Sequence, residues 1–342
     1  MTPQEIQEFE KALEQIVALA KGFGLDFFEM RYEICPAHVI YSLGAYGMPS
    51  RFNHWSFGKA YHRMKTQYDY NLSRIYELVI NSNPCYAFLL EGNSVLQNKV
   101  IAAHVLAHSD FFKNNRRFAH TSRNMVETMA ASAERIRSYE FRYGRKVVEE
   151  VLDACLALQY HVDPYLVRHP PPHQKPTVAP AESKDERRST PYDDLWELDQ
   201  PGPNDPGKEV ARNTWTSGAS ASRGERRDLG PKQLSRTDLL LHLSLYSPHL
   251  QDWERDILSI VRGEMLYFYP QLETKIMNEG WASLWHARIM REMDLTDEES
   301  IEFAKMHAGV LQPSPFSINP YRVGYEIFTA IEAAKGTDAI FE

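Results

Sequence analysis

Residues 98–115 read NKVIAAHVLAHSDFFKNN, an apolar, helix-forming run that carries two histidines, His104 and His108. Four residues is close to one helical turn, so the two imidazoles lie one above the other on the same face. Two imidazole nitrogens placed that way can close on one metal ion, as in the H-E-x-x-H helix of zinc peptidases. Those peptidases carry Glu directly after the first His, and this chain carries Val105. The stretch therefore points to a zincin-like metal helix while questioning peptidase chemistry. Against it stands the plainer reading, that two histidines of an amphipathic helix simply pack and hydrogen-bond.

Composition narrows the classes. The 342 residues are 43% hydrophobic and 25% charged, ordinary for a globular protein with a real core. A formal net charge of -8 argues against general nucleic-acid binding, which favours a basic balance. No apolar run reaches the roughly 18 residues of a membrane span, and the N-terminus lacks the pattern of a secretory signal. The three cysteines, Cys35, Cys85 and Cys155, are far apart and lack C-x-x-C spacing. They predict a reducing, cytoplasmic compartment and no disulfide framework.

Upstream, Thr2-Pro3-Gln4-Glu5 has the form of a helix start with a capping box. Ile6, Phe9, Leu13, Ile16, Val17 and Ala20 continue it at helical spacing to Gly22 or Gly24. Phe28, Met30 and Tyr32 alternate with Glu29, Arg31 and Glu33, the period of a half-buried strand. Residues 76–90 hold two short apolar runs around Asn81-Ser82-Asn83-Pro84, a turn between strands. Between these, residues 47–75 interleave aromatics with Arg51, Lys59, Arg63 and Lys65. That mix can stack on a ligand, but packed aromatics with snorkelling basic stems account for it better in an acidic chain.

Downstream, helices are expected over 121–142 and 145–160, their charges forming an ion-paired, solvated face. Residues 168–236 are rich in Pro, Gly, Ser and charge, and read as a disordered insertion. Its acidic-aromatic island, Tyr192 to Leu198, is a docking point for an unknown protein partner. Order resumes at 237, with a helix through Trp253, Ile257, Ile260, Val261 and Met265 expected to stop before Tyr267. The domain reading is thus one core in two parts, 1–167 and 237–342, around the insertion. The fold class is α+β, predominantly α-helical, with a small N-terminal sheet.

Residues 274–286, TKIMNEGWASLWH, supply the second half of the argument. In zinc proteins whose third ligand is a Glu on a later helix, its neighbourhood commonly reads N-E-G-x-A, matched here by Asn278-Glu279-Gly280-Trp281-Ala282. Two histidines and a distant Glu leave the open fourth position of a reactive Zn2+ or other divalent metal. Glu279 and His286 share a helix face, so the expected ligand set is His104, His108, Glu279 and His286. His286 ranks ahead of His307 as a further nitrogen ligand or proton shuttle. No catalytic residue is assigned; Glu91 and Glu127 are carboxylates available by content alone to replace the missing base.

Several long strings resemble the SpoVR (stage V sporulation protein R) family. They are EICPAHVIYSLGAYGMPSRFNHWSFGKAYHRMKTQYDY, YELVINSNPCYAFLLEGNS, AHVLAHSDFFKNN, YSPHLQDWERDILSIVRGE, TKIMNEGWASLWH and NPYRVGYEIF. The resemblance implies a cytoplasmic bacterial protein linked, in spore formers, to the spore cortex, and it carries no established activity. Family members continue well past the NPYRVGYEIF segment, so a shortened C-terminus is expected. Two functions remain in view. One is a zincin-like hydrolase acting on peptide or peptidoglycan-precursor bonds. The other is a non-catalytic regulatory or scaffold protein with a structural or vestigial metal site.

Overall fold

The computed structural model describes residues 1–165, 238–313, 315 and 317–342. The chain opens with α1 (Pro3–Gly22), where Thr2 accepts from the Glu5 N–H and Glu5 returns to the Thr2 N–H, the expected capping box. The apolar stripe of α1 buries Phe9, Ala12, Ile16 and Ala20. Strand β1 (Met30–Cys35) keeps its alternation through Glu33, with Met30 and Tyr32 partly covered and Arg31 and Glu33 exposed. Two helices follow, α2 (Ala37–Tyr46) and α3 (Trp55–Asp69).

Strands β2 (Glu77–Ile80) and β3 (Cys85–Leu90) flank the predicted turn and pair antiparallel, Glu77 opposite Leu89. β3 also pairs parallel with β1, Met30 opposite Cys85, so the order is β1-β3-β2. A central strand covered on both faces should be apolar throughout; CYAFLL is, and Tyr86 alone is not fully buried. The chain then turns into α4 (Val95–Asn114), followed by α5 (Met125–Tyr143) and α6 (Arg145–Ala157).

The second part comprises α7 (Leu239–Tyr246), α8 (Asp252–Glu273), α9 (Lys275–Glu292), α10 (Asp297–Val310) and α11 (Pro320–Lys335). The described residues are therefore mostly helical with one three-stranded sheet, an α+β protein. They belong to one unit that combines Met1–His169 with Ser235–Glu342. The insertion read at 168–236, with its island from Tyr192 to Leu198, lies outside the described residues.

One expected boundary is overturned. α8 does not stop before Tyr267 but runs through Pro270 to Glu273. Proline costs a helix its own N–H bond. Here Tyr267 and Pro270 are buried, and the Tyr267 hydroxyl donates to the Asn81 carbonyl at 3.0 Å, so tertiary packing outweighs the local penalty. The aromatic-basic segment packs, as expected. The Arg51 guanidinium donates to Glu264 of α8 at 2.7 Å and lies 4.4 Å from the Phe57 ring centroid.

The main core lies between α1, α4, α9 and the sheet, around Ile16, Leu89, Val105, Leu106, Leu284 and Trp285. Lys99 of α4 bridges Glu8 of α1 and Glu299 of α10, each at 2.9 Å. α9 and α11 cross in close contact at two glycines. A Cβ built on Gly280 would lie 2.2 Å from the Gly324 carbonyl carbon, and one on Gly324 would lie 2.1 Å from the Ile276 oxygen. Only glycine lets the two backbones approach that far.

Candidate metal centre

α4 forms because Ser94 and Gln97 cap each other: the Gln97 N–H donates to Ser94 Oγ, and the Ser94 N–H donates to Gln97 Oε1. From Ile101 to Phe112 every residue is buried, the pattern of a central helix rather than a surface one. Its polar members are each engaged. Asp110 accepts from the Asp26 N–H at 2.7 Å and from Trp281 Nε1 at 2.8 Å, tying α4 both to the loop before β1 and to α9. Ser109 accepts from the Phe28 N–H at 3.1 Å.

Against α4 lies α9, and here the two informative stretches meet. The Nε2 atoms of His104 and His108 stand 3.6 and 3.5 Å from Glu279 Oε2. The ligand atoms of these three residues all fall within 4.8 Å of one another. Those separations are too long for good N–H···O hydrogen bonds, and Glu279 Oε2 is a buried oxygen with no hydrogen-bond partner. A tetrahedral ion with bonds of about 2.0–2.1 Å places neighbouring ligand atoms about 3.3–3.4 Å apart. The donor set thus fits a divalent cation at its centre: two neutral imidazoles, one carboxylate, and an otherwise orphaned oxygen facing both.

The remaining nitrogens are held from behind. His108 Nδ1 donates to Asn278 Oδ1 at 2.9 Å, and His104 Nδ1 hydrogen-bonds His286 Nδ1 at 3.0 Å. Such partners fix ring orientation and direct the other nitrogen inward. Without a cation, burial disfavours charge on His108 and Glu279, yet mutual attraction wins. The two imidazoles hold the Glu279 carboxyl well below the carboxylate range, and Glu279 raises His108 above its ordinary pKa.

Two further side chains share this field, and the sequence reading missed both. Glu77, on β2, is raised by burial and by repulsion from Glu279, while His104 and His108 oppose the shift. Tyr321, near the start of α11, stacks over His104 with ring centroids 6.0 Å apart. Burial, then Glu279 and Glu77, push its phenol up. The signals available were weak: one carboxylate at the head of ELVI, and an Asn-Pro-Tyr-Arg helix start. Asn319 caps that start, accepting from the Tyr321 N–H at 3.0 Å.

His286 is placed differently from the other three expected ligands. Among the described residues its nitrogens do not join the group, which consists of His104, His108 and Glu279. It stands one step back, between His104 and His307, with Nε2 2.9 Å from His307 Nδ1. A shared helix face put it with Glu279, but seven residues rise about 10.5 Å along a helix, too far for both to reach one ion. Glu91 and Glu127 are exposed. Val105 is fully buried in the main core.

Comparison with known proteins adds identity rather than chemistry. The sequence is similar to an Escherichia coli (strain K12) protein named "Uncharacterized protein YcgB", 32% identical over 340 residues. That match takes in 94% of this chain and 62% of the relative, so the chain spans less than two thirds of the relative's length. No solved structure matches. The family profile described as "SpoVR like protein" matches residues 3–339. With that coverage and that relative, the chain belongs to the SpoVR family.

Proposed function

We propose that this chain is a metal-dependent hydrolase that holds Zn2+ or another divalent cation with His104, His108 and Glu279. The observation that carries the reading is the spacing of two histidine Nε2 atoms about an orphaned carboxylate oxygen, 3.5 and 3.6 Å away. A cation there would supply Lewis-acid activation of water and of a substrate carbonyl. The chain's own residues complete the arrangement. Glu77, raised toward its proton-bound form by burial and sharing the field of His104, His108 and Glu279, is the carboxylate we assign the place of the one missing at Val105. Tyr321, stacked over His104, has an O–H available for a developing oxyanion. Asn278 and His286 hold the imidazoles.

The substrate class proposed is a peptide or peptidoglycan-precursor bond, following the family's link to the spore cortex. Three unpaired, buried cysteines support a reducing, cytoplasmic setting. Among the described residues no helix is long and apolar enough to cross a membrane. The scaffold alternative has one observation in its favour: the position after His104 is a core valine, so the ordinary peptidase base is absent.

The test has two stages. Purified wild-type protein should carry close to one equivalent of metal, and His104→Ala should carry almost none; equal metal content in the two sinks the site. Peptidoglycan fragments and peptides are then incubated with wild type and with Glu77→Gln. Loss of cleavage with retained metal supports the hydrolase; a metal-loaded wild type that cleaves none of them leaves the scaffold reading standing.

A further inference from the structure

Behind the metal ligands runs a line of three imidazoles. His104 Nδ1 meets His286 Nδ1 at 3.0 Å, and His286 Nε2 meets His307 Nδ1 at 2.9 Å. The rings are crowded together, with centroids 5.2 Å apart for the first pair and 5.0 Å for the second. His286 is 1% exposed, and both of its nitrogens are spent on the other two rings. His307 is only half-buried. It borders a surface cavity of about 370 Å3 whose lining includes Met290, Arg291, Ser300 and Phe303. The line therefore joins the buried cluster to a solvent-reachable recess on α10.

A neutral imidazole donates through one nitrogen and accepts through the other. A row of neutral imidazoles therefore has a direction, and each link dictates the next. A cation on His104 Nε2 requires a lone pair there, so the proton of His104 sits on Nδ1 and is donated to His286 Nδ1. His286 must then carry its proton on Nε2 and donate it to His307 Nδ1. His307 in turn carries its proton on Nε2, the nitrogen that His286 leaves free. The opposite polarity puts N–H on His104 Nε2 and blocks the ligand position. In this polarity His286 and His307 each accept through Nδ1, which requires both rings to be neutral.

We propose that His286 and His307 are positioning residues that set the tautomer of His104, so that an acceptor nitrogen at position 307 favours a cation between His104, His108 and Glu279. The inference rests on the metal reading above and goes beyond it by giving two non-ligating histidines a defined task. It makes zinc affinity depend on the hydrogen-bonding polarity of a residue outside the ligand set. A purely space-filling role for His307 has no such dependence.

The experiment uses the full chain, zinc alone as the probe, and two readouts. The first is two-bond 15N–1H correlation on 15N-histidine-labelled protein, with signals assigned through single His variants. Zinc-loaded wild type should show His104 protonated on Nδ1, and His286 and His307 protonated on Nε2. The second is competitive zinc titration of His307→Gln and His307→Leu. Gln keeps an acceptor oxygen for His286 and should bind zinc within about threefold of wild type. Leu keeps none and should bind roughly ten- to a hundredfold more weakly, the usual cost of losing a partner behind a metal ligand. Zinc-loaded protein with His307 protonated on Nδ1 overturns the proposal, as does His307→Leu binding zinc as tightly as wild type. A loss of the same size in both variants also overturns it, because polarity would then be irrelevant. Wild type that binds no zinc fails at the earlier step and removes the metal reading itself.

Discussion

Gly280→Ala isolates the helix crossing beneath the candidate site. The added Cβ would lie 2.2 Å from the Gly324 carbonyl carbon, 2.4 Å from its Cα and 2.7 Å from the Tyr325 nitrogen. Ordinary carbon contacts begin near 3.5 Å, so α9 and α11 must part by about 1.3 Å. Every obstructing atom is backbone, and no rotamer change relieves it. Overpacking of this kind costs about 1–3 kcal/mol, and rigid obstacles put this case at the upper end. Alanine returns about 0.8–1.0 kcal/mol of helix propensity, leaving a net loss of about 2 kcal/mol. Gly263, inside α8, is the matched control: a Cβ added there would meet nothing within 4 Å. Gly263→Ala should gain up to about 1 kcal/mol by the same propensity term. Urea denaturation should thus separate the variants by about 3 kcal/mol with opposite signs. Tyr321 lies one turn before Gly324, so Gly280→Ala should also loosen zinc binding. A Gly280→Ala protein as stable as wild type, at an unchanged m-value, would refute the reasoning.

Two further predictions concern buried charge. Arg51→Ala leaves Glu264, whose side chain is 3% exposed, without its cation, a loss of about 3–5 kcal/mol. Burial already raises Glu264 against the pull of Arg51. The folded state therefore binds its proton more readily than the unfolded state, and the penalty should shrink as pH falls; denaturation at pH 7 and pH 5 checks this, and a pH-independent penalty counts against it. Asp110 is raised from 3.8 to about 6, because burial outweighs its hydrogen bonds. A raised carboxyl contributes stability that is present below the unfolded value and lost as pH rises through 6. The contribution of this one group should grow by about 2 kcal/mol from pH 6 down to pH 4. A carbon-detected carboxyl titration with its midpoint near 4 would contradict it.

What could be read in the residues follows from which quantities are local. The i, i+4 spacing of His104 and His108 becomes a shared face through helix geometry alone, and the residues flanking Glu279 mark it as their partner. Capping at Thr2 and the turn at Asn81–Pro84 are equally local. Glu77 is different. Period-two alternation marks the two faces of β2, but which face meets α4 depends on the strand order β1-β3-β2, a long-range outcome. Tyr321 reaches His104 only because Gly280 and Gly324 let two helices nearly touch, which neither glycine announces by itself. His286 shows the converse limit of local reasoning: periodicity reports angle around an axis and is silent about height along it. At Pro270 the local rule was correct in kind and lost to the burial of Tyr267.

The placement of the three candidate ligands has a consequence for assembly. His104 and His108 come from chain before residue 165, Glu279 from chain after residue 238, and the backbone between them contributes none of the three. A polypeptide supplied as two separate pieces would hold two imidazoles on one and the carboxylate on the other, neither a complete site. Metal uptake would then report reunion of the pieces, with α4 meeting α9 as the event that creates affinity. The centre would serve as a built-in sensor of whether the two ends of the molecule have found each other.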